Sequence, residues 1–377
     1  MRIFTVSMAP VNPPYDDGVK NILIGLARRL GKYRFYFVSS FFGRSFPREE
    51  NVTFLRSAFQ RTGRHSMSLL QKMYVLTLIL MNTGNVDAFQ FFVTPQRYFS
   101  AFFGRFLRKR GKPSIQVVSS VHTLYSLNDE GVIPDLFFAD RVVVYSDYAK
   151  TKLEEMGVKG VVRIYPGIET ARFEKAVEGG AISGDGSFKV IYPGTYKVLR
   201  DSYSFGSFCR MAENVIREIG DVRFVMACRM RTREDEVLRG KFMEEAQSAG
   251  ILDNFVFLGT VEDMPGLIRS CDVGIMPATG PMSGVLEIPM VILEMAAAGK
   301  PVIYGNVRPL DELSGRGVGL LMERGDPRVY ADRIKELLRD GEYASRVGGA
   351  SREAVKKYFD IESMAKEYEK LYEEIGG

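Results

Sequence analysis

Two glutamates, Glu287 and Glu294, stand seven residues apart on either side of Pro289. Proline suits the first turn of a helix, so Glu287 reads as a loop residue and Glu294 as an interior helical one. The Glu294 carboxylate sits beside Met295 and three alanines, and in such apolar company it needs a partner. A second constellation runs from Gly194 and Thr195 to Lys197 and Arg200, directly after the apolar run Phe188–Tyr192. Basic groups on a glycine turn that opens a helix can hold a diphosphate. Gly18, after Pro13-Pro14-Tyr15-Asp16-Asp17, lets backbone N–H groups approach an anion or a polar ligand. His122 follows the run Ser114–Ser119, at the carboxyl end of an expected strand. Asp140 to Ser146 reads as a strand that ends in a helix cap, and Pro166-Gly167-Ile168 as a turn. Taken singly, each pattern also fits a plain turn, a cap or a solvated charge.

Several chemistries are excluded. Two histidines, His65 and His122, cannot supply a multi-histidine metal site or an HExxH protease. Cys209, Cys228 and Cys271 include no CxxC pair and read as free buried thiols of a reducing compartment. The first strand is followed by Pro-Pro-Tyr-Asp-Asp-Gly, which is neither GxGxxG nor a P-loop, so a Rossmann dehydrogenase is not expected.

The elements that must position these residues alternate between short β-rich runs and longer helical patterns. The expected strands of the first half are Arg2–Met8, Arg34–Ser39, Val52–Leu55, Val86–Phe92, Ser114–Ser119, Arg141–Tyr145 and Val161–Tyr165. Those of the second half are Phe188–Tyr192, Val222–Ala227, Phe255–Leu258, Asp272–Met276, Pro301–Tyr304 and Val318–Met322. Continuous apolar runs with helices between them predict an α/β fold of doubly wound parallel sheets. Residues 178–187 hold four glycines and two serines and read as a hinge. The predicted organisation is a domain over 1–178, a hinge over 179–187, a second domain over 188–355 and a C-terminal helix over 356–377. Ligands of such sheets bind beyond the carboxyl ends of the strands.

Charge is uneven. The whole chain carries +5, but residues 1–120 hold 18 Lys/Arg against 5 Asp/Glu. Within that stretch, Arg97–Lys112 forms a helix in which Tyr98, Phe99, Phe102, Phe103, Phe106 and Leu107 share one face. Arg97, Arg105, Arg108 and Lys112 lie largely on another, a pattern suited to an anionic membrane surface. Phe41, Phe42, Arg44, Phe46 and Arg48 extend the basic-aromatic character. The longest apolar run, Met73–Met81, is about half a transmembrane span. A soluble or membrane-surface protein is expected, and no nucleic-acid partner, since no recognition module is visible.

In this order and spacing the segments resemble the retaining GT-B glycosyltransferases of the large family four, the glycosyl transferases of group 1. The matching positions are Gly18, His122, Asp140 with Ser146, Pro166-Gly167-Ile168, Gly194 to Arg200, Phe257-Leu258-Gly259-Thr260-Val261, and Pro277 through Glu294 to Pro301-Val302. The resemblance implies two Rossmann-like domains facing across a cleft, with a nucleotide sugar held mainly by the second and an acceptor by the first. It implies that Glu294 grips ribose hydroxyls and that Arg200, with Lys197, meets the diphosphate. It places Gly18 and Gly194-Thr195 near phosphates and sugar, His122 near C6 of the transferred sugar, and Gly259 and Val261 along the base. Three positions depart from the family pattern. Thr195 replaces an arginine, Arg200-Asp201 replaces Lys-Gly, and Leu286 occupies the place of the first of two paired glutamates, with Glu287 next to it as the candidate replacement.

The function expected from the resemblance is metal-independent, retaining transfer of a hexosyl group from a UDP- or GDP-sugar to a glycan, lipid-linked or membrane-associated acceptor. No cofactor is implied, because the nucleotide sugar is a substrate. A cytoplasmic location, at the inner face of a membrane, is expected. The alternatives are a non-catalytic nucleotide-sugar or membrane-binding subunit, and a GT-B epimerase or phosphorylase.

Overall fold

Strands buried on both faces need helices above and below them, and the chain supplies these in alternation. In the computed structural model the first set is β1 (Arg2–Ser7), α1 (Gly18–Arg29), β2 (Arg34–Ser39), β3 (Val52–Leu55), α2 (Leu69–Asn82), β4 (Ala88–Phe92), α3 (Arg97–Arg110), β5 (Ser114–Val117), α4 (Ile133–Leu136), β6 (Arg141–Val144), α5 (Asp147–Glu155) and β7 (Val161–Arg163). The second set opens with β8 (Phe188–Tyr192), α6 (Tyr196–Ser202), α7 (Phe205–Ile219), β9 (Val222–Ala227), α8 (Arg233–Ser248), β10 (Phe255–Leu258), α9 (Met264–Arg269) and β11 (Val273–Met276). It closes with α10 (Met290–Ala297), β12 (Val302–Gly305), α11 (Asp311–Ser314), β13 (Leu320–Met322), α12 (Pro327–Arg339), α13 (Gly341–Tyr358) and α14 (Ile361–Gly376). The structure describes every residue except 8–17, 40–48, 56–68, 93–96, 119–132, 175–185, 231, 281–286, 324 and 377. For 39, 69, 71, 72, 97–99, 101, 133 and 134 it describes the backbone alone.

The first sheet has seven parallel strands in the order β3-β2-β1-β4-β5-β6-β7. Side chains alternate across it. Phe4, Val6, Phe89 and Phe91 pack on one face against Val75 and Ile79 of α2 and Phe103 and Leu107 of α3. On the other face Gln90 of β4 accepts a hydrogen bond of 2.9 Å from the Tyr372 hydroxyl of α14. Tyr372 also packs against Tyr33 and Phe35. Helix α14 buries Ile361, Met364, Tyr368, Leu371 and Tyr372, a spacing of one helical face. Its approach is close: a Cβ on Gly167 would lie 2.7 Å from the Ile361 Cα.

The aromatic face predicted for Arg97–Lys112 divides in the structure. Phe103 and Leu107 are core residues, Phe106 is half-buried, and Phe102 is exposed. Phe103 and Leu107 fill the space over Phe91 that the sheet leaves to its covering helix.

The second sheet has six parallel strands in the order β10-β9-β8-β11-β12-β13. Its core is aromatic around Phe208, which contacts Tyr192, Phe224, Phe242 and Phe255.

By its contacts the chain divides into two units. The first is Met1–Gly167, Gly284–Ile288 and Ile361–Gly377, and the second is Ile168–Ser283 and Pro289–Asp360. The division falls at Gly167/Ile168, ahead of the predicted hinge, most of which lies outside the described residues. Residues 168–174 stay with the second unit for local reasons. Ile168 bridges Asp360, the Thr170 hydroxyl donates to Asp360, and Glu174 pairs with Arg352 and Lys356. The same contacts carry the second unit to Asp360, beyond the predicted limit of residue 355, and α14 begins at Ile361. Among the described residues no helix is long and apolar enough to cross a membrane.

Candidate functional site

Parallel strands end on one edge, so Tyr192, Ala227, Leu258 and Met276 bring the segments after β8, β9, β10 and β11 to the carboxyl edge of the second sheet. After β8, Thr195 caps α6, its hydroxyl accepting from the Val198 N–H at 3.1 Å. The Tyr192 side chain folds under this turn, and its hydroxyl donates to the Thr195 carbonyl at 3.0 Å. Gly194 is the residue that permits this fold, because a Cβ there would lie 2.4 Å from the Tyr192 hydroxyl oxygen.

Lys197 is exposed in the first turn of α6. Arg200 lies one turn further on and is half-exposed. Its Nε donates to Asp201 Oδ1 at 2.6 Å, and a terminal guanidinium nitrogen lies 3.9 Å from Glu234. The hydrogen bond to Asp201 is the main cause of its raised pKa. Two carboxylates thus hold the arginine that the sequence assigned to a diphosphate.

After β10, Gly259 faces open space, where an added Cβ would meet nothing within 4 Å. Val261 is half-buried. After β11, the chain is clamped by contacts that the sequence did not announce. The Thr279 N–H and hydroxyl both donate to the Ser202 carbonyl, at 2.8 and 3.1 Å. The Ala278 N–H donates to the buried Tyr330 hydroxyl at 3.3 Å. Gly305 and Gly325 leave room for Ala278 and Thr279, since a Cβ on either would fall within 2.2 Å of them. The only signal for this clamp was the glycine that ends β12 and the one three residues past β13.

The two glutamates separate. Glu294 is buried on α10 in the second unit. Glu287 is also buried, but it packs with the first unit, where its Oε2 accepts from the Tyr145 N–H at 2.6 Å just past β6. Burial, and then the Glu287 charge, push the Tyr145 hydroxyl far above its ordinary pKa. One oxygen of the candidate replacement for the first paired glutamate, Glu287, is thus engaged by the Tyr145 main chain. Gly18 opens α1 in the first unit. His122, Leu286 and residues 13–17 lie outside the described residues, as do Phe41, Phe42, Arg44, Phe46 and Arg48. Among the described residues no three His, Cys, Asp or Glu gather as for a metal ion.

A family model for glycosyl transferases group 1 matches residues 188–340. The matched residues make up most of the second unit. The group 1 match begins at β8 and contains Gly194, Thr195, Lys197, Arg200, Gly259, Val261 and Glu294. N-acetyl-alpha-D-glucosaminyl L-malate synthase of Bacillus anthracis is 30% identical over 126 residues, 33% of this chain and 32% of its own length. The aligned segment thus spans about a third of that curated relative. An uncharacterized glycosyltransferase of Methanocaldococcus jannaschii is 22% identical over 395 residues, 100% of this chain and 99% of its own. The crystal structure of Anabaena HepE in complex with UDP-glucose superposes with a TM-score of 0.72 at 15% identity, over 99% of this chain and 100% of that one. The fold of the chain is GT-B, two doubly wound Rossmann-like units.

Proposed function

We propose that this protein is a retaining glycosyltransferase that moves a hexosyl group from a UDP- or GDP-sugar to a glycan, lipid-linked or membrane-associated acceptor, without a metal. The observation that supports the reading is the carboxyl edge of the second sheet, where the segment after β8 carries Gly194, Lys197 and Arg200 and the segment after β10 carries Gly259 beside open space. In the proposed step the C1–O bond to the diphosphate breaks and a C1–O bond to the acceptor hydroxyl forms on the same face. The acceptor proton passes to the departing phosphate oxygen. The charge developing on the diphosphate needs preorganised cations, and Lys197 and Arg200 would supply them. Arg200 would exchange Asp201 and Glu234 for the diphosphate. Glu294 would hold the ribose.

The test is a thermal-shift panel of UDP-, GDP- and ADP-sugars, followed by NMR of the product's anomeric configuration. One donor should raise the melting temperature selectively. Arg200→Ala should lower turnover by roughly 10–100-fold at an unchanged melting temperature, the loss expected for a charged hydrogen bond in the transition state. Unchanged turnover would remove Arg200 from the site. A second reading, a non-catalytic donor-binding subunit, draws on Leu286 and on the capture of Glu287 by Tyr145. Donor binding with neither hydrolysis nor transfer would favour it.

A further inference from the structure

Helix α2 is apolar on both sides. Val75 and Ile79 point into the core of the first unit. On the opposite face Leu70, Met73, Leu80 and Met81 are 60%, 57%, 45% and 71% exposed, with Thr77 among them. A helix on the surface of a soluble domain normally puts charge there, and a sustained apolar stripe marks a contact site. Helix α3 packs into the same core cluster on the same face of the sheet. Its outer side is cationic, with Arg105, Arg108, Lys109 and Arg110 all exposed. The exposed Phe102 stacks on Phe106 at 6.3 Å, and the Arg110 guanidinium lies 5.6 Å over the Phe106 ring. From Leu69 to Lys112 there are seven Lys/Arg and one acidic residue, Asp87, which is paired with Arg2.

We propose that α2 and α3 together form the surface by which this protein sits on an anionic lipid bilayer. Leu70, Met73, Leu80 and Met81 of α2 enter the acyl boundary, and the α3 cations meet the headgroups. The inserting element is thus α2, not the aromatic side of α3, whose Phe103 and Leu107 the core has already taken. Charge complementarity selects the occupant. An apolar stripe alone would suit another protein, but an apolar stripe next to a cationic helix with no acidic residue suits a surface of acyl chains and anionic headgroups. The inference rests on the proposed membrane-associated acceptor for its purpose, and its test uses no donor.

The test is flotation of the full chain with phosphatidylcholine vesicles, with and without phosphatidylglycerol, at low and physiological salt. The chain should float with the anionic vesicles, and less so as salt rises. Arg105→Gln with Lys109→Gln should cut partitioning about 30-fold, from roughly one fivefold step per basic side chain. Met73→Gln with Met81→Gln should cut it about tenfold or more while leaving the melting temperature unchanged, since both side chains are exposed. No flotation with anionic vesicles, or flotation indifferent to the Met73/Met81 pair, overturns the proposal. So does a wild-type dimer that the same pair converts to a monomer, which would make the stripe a self-association face. Donor-induced thermal stabilisation alongside failed flotation would sink this inference and leave the proposed activity standing.

Discussion

Two glycines on one sheet edge should respond to the same substitution in opposite ways. Neither Gly194 nor Gly259 has a positive φ, so alanine meets no backbone penalty at either position. The surroundings differ. At Gly194 the new methyl would sit 2.4 Å from both the ring carbon Cζ and the hydroxyl oxygen of Tyr192. Tyr192 cannot easily yield, because it is fully buried against Phe208 and its hydroxyl is tied to the Thr195 carbonyl. Overpacking of this kind costs about 1–3 kcal/mol. For a unit of this size that corresponds to a fall in melting temperature of roughly 2–12 °C. At Gly259 the methyl meets nothing within 4 Å, and the stiffer chain should gain about 0.4–1 kcal/mol.

The assay is thermal unfolding of both variants with and without the donor selected by the nucleotide-sugar panel. Gly194→Ala should melt low without ligand. Gly259→Ala should melt at or slightly above wild type without ligand and should lose most of the donor-induced rise, because the open space is the proposed place of the base. A Gly194→Ala protein that melts like wild type would refute the packing argument at Tyr192. A Gly259→Ala protein with a full donor response would show that the donor does not use that space.

Three further outcomes follow from the buried and paired groups. Burial pushes the Cys209 and Cys271 thiols up to about 12, and Cys228 further still, so a thiol reagent near pH 8 should label none of them rapidly until denaturant is added; fast native labelling would contradict the burial. Hydrogen bonds from Arg2, from Lys356 with Arg352, and from Lys335 with Arg339 hold Asp87, Glu174 and Glu218 below the ordinary carboxylate range, so the unfolded chain binds protons first on acidification. Their contribution is present above the ordinary carboxylate values and is lost as pH falls through the lowered ones, partly offset by Glu367, which burial shifts upward; a melting temperature flat from pH 6 to pH 3 would count against it. Tyr372→Phe removes the donor to the buried Gln90 carbonyl oxygen and should cost about 1–3 kcal/mol in urea unfolding, and a wild-type midpoint would mean that this bond does not help to anchor α14.

The sheets were legible because a strand covered on both faces must be apolar at nearly every position. Runs such as Arg2–Met8 and Val222–Ala227 have no other use in a chain that alternates with helical periods. The strand ends were less so: Ser114–Ser119 becomes Ser114–Val117, whose last ladder partner is Val143, and no local pattern records where a ladder ends. The division at Gly167/Ile168 was hidden for a similar reason. Glycine density marks where a chain can bend, but membership of a unit is decided by partners such as Asp360 and Arg352, nearly two hundred residues away.

The site was legible in type more than in geometry. The sequence put Lys197 and Arg200 on a glycine turn after a strand, and in the structure both lie on α6, the short helix that follows the turn. It could not reveal that Asp201, next in the chain, turns back on Arg200, or that Glu287 and Glu294 pack in different units although only seven residues separate them. Pro289 is the physical reason for the second point. It starts α10, so Glu294 inherits the apolar interior of the second unit. Glu287, outside the helix, is oriented by whichever N–H it can reach, and that is Tyr145's. A carboxylate fixed by a main-chain donor is fixed independently of the side chain it replaces, so its role is a property of where β6 ends. Helices α2 and α3 make the same point from the other side: one reads as the apolar run Met73–Met81 and the other as a helix with an aromatic face, and only packing decides which apolar side chains stay exposed.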